Sequence, residues 1–180
     1  MSLRVLFGSR TAGFIEPFRR SFRVLPTDCD MNLHLTNSRY FSLLDIVRVE
    51  HLAVMKLIRP LLKRGWMPVL NATEMTFIRP IAPLRKFDVV INIVTWDEKY
   101  LYMEQRFESP GTLHAVSMAR AAFVCEGEVV HPDRIAALAG YSGNAPSRSD
   151  IVGSWQTFFS DKKQHFSAKK PDKQVVNLYP

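Results

Sequence analysis

Apolar residues recur at spacings of three and four between positions 38 and 62. Tyr40, Phe41, Leu44, Val47, Leu52, Met55 and Ile58 form one stripe, and Leu43, Ile46, Val49 and Val54 widen it. That period predicts one long α-helix, and so broad a stripe predicts burial on most of its sides. Asn37 stands where an N-cap is expected, and Pro60 with Gly65 marks the end of the regular helix or the start of its exit loop. Around this helix the pattern is that of strands. Residues 21–27 are short, branched and aromatic ahead of it, and four strand-like runs follow it at 67–78, 87–96, 100–108 and 112–125. The punctuation agrees: Arg79-Pro80-Ile81-Ala82-Pro83 cannot continue a central ladder, Trp96-Asp97-Glu98-Lys99 is a compact polar connection, and Ser109-Pro110-Gly111-Thr112 places Pro and Gly as a type II turn requires. A strand, a long helix and a meander of long antiparallel strands fit an α+β fold in which a curved sheet wraps a central helix. Residues 140–150, rich in Gly, Ser, Pro and Asn, read as a linker into a short amphipathic helix at 151–159 whose role is packing.

Composition narrows this picture. A chain of 180 residues with 47% apolar content can bury one substantial core, which favours one domain with a tail. Cys29 and Cys125 are too few for a disulfide framework and lack metal-ligand spacing with His, so a reducing compartment and no bound metal are expected. No run of eighteen apolar residues exists, and Arg4 and Arg10 interrupt any signal core in residues 1–14. A soluble, cytoplasmic protein is the expectation. The acid-poor opening has the look of an organelle transit sequence, but Glu16 and Pro17 break its helical pattern early.

The net charge of +7 suits either nucleic acid or a nucleotide-bearing cofactor such as CoA. Zinc-finger spacing, an R-G-F-type stacking motif and a basic recognition helix are all missing from the sequence, so nucleic acid is not expected as a partner. Much of the excess lies in Lys162, Lys163, Lys169, Lys170 and Lys173 against Asp161 and Asp172, which reads as a solvated end.

Chemistry concentrates between Asp28 and Tyr40, where carboxylate, amide and imidazole side chains arrive together just ahead of the long helix. A helix N-terminus leaves several N–H groups without intrahelical partners, and these can stabilise an oxyanion that faces them. Asp30 can attack a carbonyl or activate water, and equally can accept backbone N–H bonds in the loop. Asn32 can orient water or form an Asx turn. The imidazole of His34 can both donate and accept a proton and suits a general acid, although a lone histidine is as often structural. Asp28 reads as structural, because two adjacent unpaired carboxylates raise each other's pKa. Asp45 and Arg48 lie three apart on one helix and form an ion pair most simply, and Cys29 reads as a small buried thiol.

The same segment resembles hotdog-fold thioesterases of the 4-hydroxybenzoyl-CoA type, whose pattern is close to D-x-D-x-x-G-H-V-N-N-x-x-Y; Asp28, Asp30, His34, Asn37 and Tyr40 fall in register. Leu33 replaces the usual Gly and Thr36 the first Asn. Plant acyl-ACP thioesterases, with D-M-N-Q-H-V-N-N against Asp30 to Asn37 here, are similar too and tolerate a bulky residue before His. Tyr40, Asp45 and Arg48 match the helix spacing Y-x-x-x-x-[DE]-x-x-R of these thioesterases, and Trp96 to Tyr100 followed by Glu104-Gln105-Arg106-Phe107 looks like a strand pair of a thioesterase-like branch.

The resemblance implies a hotdog domain at 21–139, between an arm at 1–20 and a linker, helix and basic tail at 140–180. It implies hydrolysis of an acyl-CoA or acyl-carrier-protein thioester without a cofactor: Asp30 as base or nucleophile, Asn32 and His34 assisting, and the Asn37 amide holding the oxyanion. Tyr40, Arg79, Arg85 and Lys86 are the candidate substrate-binding residues, the last three for CoA phosphates, in a homodimer or dimer of dimers joined at sheet edges.

Three alternatives stand beside this one. Related enzymes place the carboxylate further along the helix, where Asp45 and Glu50 lie. A non-catalytic acyl-binding scaffold arises if Leu33 crowds the carbonyl site. A hotdog hydratase would need a pattern like D-x-N-P-x-H, and Asn32-Leu33-His34 is one residue short of it.

Overall fold

Six antiparallel strands form one sheet, in a computed structural model that describes residues 13–147 and 149–168. The expected arm at 1–12 and the tail lysines Lys169, Lys170 and Lys173 lie outside the described residues. In chain order the elements are β1 (Phe18–Arg23), a 3-10 turn (Pro26–Asp28), α1 (Asn37–Val54), α2 (Ile58–Lys63), β2 (Met67–Phe77), β3 (Lys86–Trp96), β4 (Leu101–Ser109), β5 (Thr112–Cys125), β6 (Glu128–Val130), α3 (Pro132–Leu138) and α4 (Asp150–Ala168). The sheet runs β1-β3-β4-β5-β2, with β6 also pairing β5, so β1 and β2 are its outer strands. β3, β4 and β5 form a meander, each within a residue of its expected bounds, whereas β2, read as the first strand of that meander, pairs with β5 at the far edge instead of with β3. The β4–β5 turn is the two residues Pro110-Gly111, with Gly111 at the positive φ of 70° that such a turn demands. In the polar turn before β4, Asp97 Oδ1 accepts the N–H groups of Lys99 and Tyr100.

The apolar period places α1 against the sheet. Leu44 and Val47 are fully buried in one cluster with Val89, Ile91, Phe107 and Ala115. Packing of this kind makes a hotdog: a curled antiparallel sheet around one helix.

Several expectations need correcting. The first strand begins at Phe18 rather than Ser21. The helix ends at Val54 rather than near 62, because Lys56 turns left-handed at φ 58°. Lys56 N–H then bonds the Ala53 carbonyl at 3.0 Å and Leu57 N–H the Leu52 carbonyl at 2.9 Å, the paired bonds of a Schellman stop. The N-cap is Thr36, and Asn37 is the first helical residue. Nor is α1 buried on most sides: Phe41, Asp45 and Val49, at successive fourth positions, stay exposed. β6 and α3 were not anticipated, and the last helix continues to Ala168 because 160–168 holds helix-compatible residues without Gly or Pro.

The chain divides between Pro146 and Ser147. The second unit is helix α4, whose Trp155 and Phe158 rings each meet Phe159 edge-on, at 5.0 and 5.4 Å. Among the described residues no helix is long and apolar enough to cross a membrane.

Candidate active site

Local hydrogen bonds make a compact scaffold of the segment entering α1. Asp28, buried, accepts the Leu25 N–H on Oδ2 at 3.1 Å and meets Arg39 Nε with Oδ1 at 2.9 Å, while its carbonyl takes the Thr36 N–H at 2.9 Å. The structural role expected of Asp28 is the one it has. Inside that frame a tighter loop closes: Asp30 N–H bonds the His34 carbonyl and Leu33 N–H bonds the Asp30 carbonyl, both at 3.1 Å. Closing it forces Leu33 to φ 56°, the left-handed region that favours glycine, at the position where the resemblance had Gly. Leu35, buried beneath, ties the loop to the next one through its N–H and the Ile81 carbonyl at 2.9 Å.

Asp30 is held from two sides. Its Oδ1 accepts the Asn32 N–H at 2.9 Å, an Asx turn, and its Oδ2 lies 3.6 Å from His34 Nδ1. His34 Nδ1 also lies 3.4 Å from the Leu35 carbonyl. The Asp30 and His34 side chains are 33% and 31% exposed, so both are reachable from solvent. Asp30, Asn32 and His34 thus share one loop, with Asn37 and its exposed side chain opening α1 just beyond.

The expected substrate-binding residues divide. Tyr40 is 2% exposed and sits in the core, its ring 5.1 Å from Phe77 and 4.7 Å from Phe107. Burial pushes its pKa up to about 12. Arg79 and Arg85 are exposed on the loop between β2 and β3, and Lys86 is exposed where that loop enters β3. The loop borders the motif: Ile81 holds Leu35, and Arg85 and Leu84 exchange backbone bonds with Val24 at 3.0 and 2.9 Å.

A buried pair that the sequence reading missed anchors the same loop. Ser109 Oγ lies 2.9 Å from His114 Nε2, and His114 Nδ1 lies 3.3 Å from the Arg79 carbonyl. With Nδ1–H donating to that carbonyl, Nε2 is left to accept from the serine. The Pro110-Gly111 turn was the available signal, since it puts Ser109 and His114 on one face of the hairpin.

Two further groups sit along α1. Arg48 Nη1 pairs with Asp45 at 2.7 Å, as expected, and its Nη2 donates to the buried Gln105 Oε1 at 2.9 Å. Ser117 Oγ reaches the same oxygen at 3.4 Å and is 3.2 Å from Thr73 Oγ1, carrying the network to β2. Burial lowers the Arg48 pKa, with Asp45 opposing that shift. Glu50, buried, faces Arg20 Nε at 3.3 Å, so it is engaged structurally.

Beside Arg48 lies a cavity of about 290 Å³ between α1 and the sheet. Leu52, Met55, Leu70, Met103, Ala121 and Phe123 supply much of its apolar wall, and Asp45, Arg48 and His51 its polar part. The Asp30 loop is not part of that wall.

Comparison with known proteins extends this picture. The sequence profile of the Thioesterase-like superfamily matches residues 24–137. Protein THEM6 of Danio rerio is 32% identical over 124 residues, covering 62% of this chain and 61% of that protein. The probable thioesterase YBR096W of Saccharomyces cerevisiae is 35% identical over 86 residues, covering 46% and 36%. This chain therefore spans roughly three fifths of the first relative's length and about a third of the second's. Among solved structures, the probable thioesterase YbaW of Escherichia coli superposes with a TM-score of 0.62 at 14% identity, covering 67% of this chain and 94% of that one. A 4-hydroxybenzoyl-CoA thioesterase mutant in complex with 4-hydroxybenzoyl-CoA gives 0.61 at 13%, covering 68% and 97%. At such identities these two likenesses establish the fold.

Proposed function

Because the chain belongs to the Thioesterase-like superfamily, we propose that it hydrolyses an acyl-CoA or acyl-carrier-protein thioester to the free acid and thiol. The observation that carries this reading is the Asp30 carboxylate, one third exposed, fixed by the Asn32 N–H and His34 just ahead of the α1 N-terminus. Asp30 either attacks the thioester carbonyl or takes a proton from the attacking water. The first-turn N–H groups of α1, with that of Asn37, receive the developing oxyanion. His34 protonates the departing thiolate, and Asn32 orients the reactants. Arg79, Arg85 and Lys86 meet the CoA phosphates, which suits three exposed cations on a loop stitched to the motif. Tyr40 serves the site from behind, packing the start of α1 against Phe77 and Phe107. No cofactor takes part.

A dimer completes the reading. β2 is an outer strand of eleven residues with exposed Met67, Val69, Leu70 and Phe77, and α1 exposes Phe41 and Val49; together these favour pairing of two copies along β2. Two such dimers in turn can form a tetramer. The thiols of Cys29 and Cys125 face backbone carbonyls at 3.5 Å and suit the reducing cytoplasm.

Leu33 weighs against the non-catalytic scaffold, since the residue is 71% exposed and the Asp30 side chain keeps a third of its surface open to solvent. Thiol release from a panel of aliphatic and aromatic acyl-CoA esters tests the proposal. Asp30→Ala is expected to lower kcat/KM by roughly a hundredfold or more. A wild-type protein that releases no thiol from any of them, or an Asp30→Ala variant with wild-type rates, sinks it; acyl-CoA binding without turnover assigns the protein to the scaffold class.

A further inference from the structure

Helix α4 leaves a stripe of large apolar side chains open. Trp155, Phe158 and Phe166 follow Ile151 by four, seven and fifteen positions, spacings that set all four along one side of a helix with 3.6 residues per turn. Phe159, whose ring meets those of Trp155 and Phe158 edge-on, widens the stripe. Ile151, Phe158 and Phe166 are 65%, 55% and 62% exposed, and Trp155 and Phe159 are half-buried. The opposite side consists of Gly153, Thr157, Ser160 and Gln164, which carry no charge. Scattered exposed apolar residues are ordinary, but a contiguous stripe of them marks an interaction surface.

The lysines of α4 say what the stripe meets. Lys162, eleven positions or about three turns past Ile151, stands on the stripe itself, and Lys163 borders it; both are exposed. The carboxylates of α4, Asp150 and Asp161, lie off the stripe. A second copy of the helix packed through this face would therefore bury Lys162 with no carboxylate opposite, which is costly. A phospholipid surface avoids that cost, because the lysine stem lies along the acyl chains while its ammonium reaches the headgroup phosphates. Trp155 suits the same place, with its apolar body and polar N–H. The sequence adds charge of the same sign: from Asp161 to Lys173 it carries five lysines against two aspartates. Anionic lipid is the complement of that excess.

We propose that α4 is a membrane-surface helix, lying in the headgroup region of an anionic phospholipid bilayer with Ile151, Trp155, Phe158 and Phe166 against the acyl chains and Lys162 and Lys163 on the lipid phosphates. It lies on the bilayer and does not cross it, in keeping with its polar opposite side; among the described residues no helix is long and apolar enough to span. None of these residues belongs to the Asp30 loop or to the cation loop between β2 and β3. Lipid binding and thioester hydrolysis are therefore lost independently.

The test floats the full chain with vesicles of phosphatidylcholine alone and of phosphatidylcholine mixed with phosphatidylserine. Wild type should favour the mixed vesicles roughly tenfold or more over the neutral ones, and added salt should shrink the difference. On binding, the fluorescence of Trp155 should shift to the blue. Trp66 and Trp96 are already buried and should not shift, so Trp155→Phe should still float while losing the spectral change. Phe158→Glu with Phe166→Glu changes two exposed positions and should cut binding roughly tenfold or more, with circular dichroism and thermal unfolding as in wild type. Lys162→Glu with Lys163→Glu should abolish the preference for phosphatidylserine. A wild-type chain that floats with neither vesicle, equal partition to both, or phenylalanine variants that bind as wild type does would each overturn the proposal. So would a stripe that joins two copies instead: wild type would then ignore vesicles, and Phe158→Glu with Phe166→Glu would lower the mass seen by light scattering.

Discussion

The carboxylate of Asp28 and the guanidinium of Arg39 meet at 2.9 Å, joining the turn before the motif to the first turn of α1. The other carboxylate oxygen holds the Leu25 N–H, so one side chain fixes both ends of the segment that carries Asp30. The Arg39 side chain is 40% exposed, which screens the ion pair; the loss on mutation falls mainly on the part-buried hydrogen bond from the Leu25 N–H. Asp28→Ala is therefore expected to cost about 1–2 kcal/mol in urea denaturation. It should also reduce hydrolysis, whereas Arg39→Gln should cost less than half as much stability.

Leu33 offers the opposite experiment. It holds φ 56° with a largely exposed side chain, so its backbone is strained while little packing depends on it. Leu33→Gly removes a left-handed penalty of about 1–2 kcal/mol and returns part of it as unfolded-state entropy. A net gain of about 0.5–1 kcal/mol is expected. Leu33→Val, β-branched at the same φ, should destabilise. Equal stability of the two variants would show that the loop does not hold this conformation in solution.

How far these features are legible in sequence depends on the range of the interaction behind them. β3, β4 and β5 could be bounded to a residue because alternation and the Pro110-Gly111 turn act locally. The motif could be singled out because Asp28, Asp30 and His34 sit within one loop. The stop at Lys56 was hidden, since lysine is a good helix former and its left-handed turn is set by packing around Leu57. Tyr40 reads as a binding residue from its spacing, but its environment comes from Phe77 and Phe107, thirty-seven and sixty-seven positions away. The cavity is the extreme case, because strands and helices distant in sequence each contribute a wall.

His51 makes stability pH-dependent. Burial lowers its pKa from 6.5 to about 4, and its ring stacks on Phe18 at 5.5 Å with Asp45 and Arg48 on the same cavity wall. The folded protein keeps the ring neutral where the unfolded chain protonates it. Its contribution is complete above pH 6.5, falls as the pH drops toward 4, and is exhausted below that. The full loss is of order 3 kcal/mol. Urea denaturation near neutral and near pH about 5 should show a shallower acid slope in His51→Gln than in wild type. The same slope in both would remove His51 as the cause.

The loop cations test substrate recognition separately from chemistry. Arg79→Ala with Arg85→Ala removes two exposed charges whose backbones are fixed by His114 and Val24. Each phosphate contact at an exposed site is worth about 0.5–1 kcal/mol, so KM for an acyl-CoA should rise roughly five- to thirtyfold with kcat little changed. The effect should fade with added salt. Unchanged KM would leave these residues as ordinary surface charge.

The outer strand β2 is where the proposed assembly can be tested. A long strand with unpaired N–H and C=O groups and exposed Met67, Val69 and Phe77 is costly to leave open, and a second copy satisfies both the hydrogen bonds and the apolar side chains. Val69→Lys places a charge among the exposed apolar side chains that pairing would cover, and should shift light scattering from at least twice the chain mass toward the monomer. Where the two subunits share the acyl site, hydrolysis should fall with the dimer population. Concentrating the variant should restore both together. A wild-type monomer would remove the assembly, and an active monomeric variant would place the whole site within one chain.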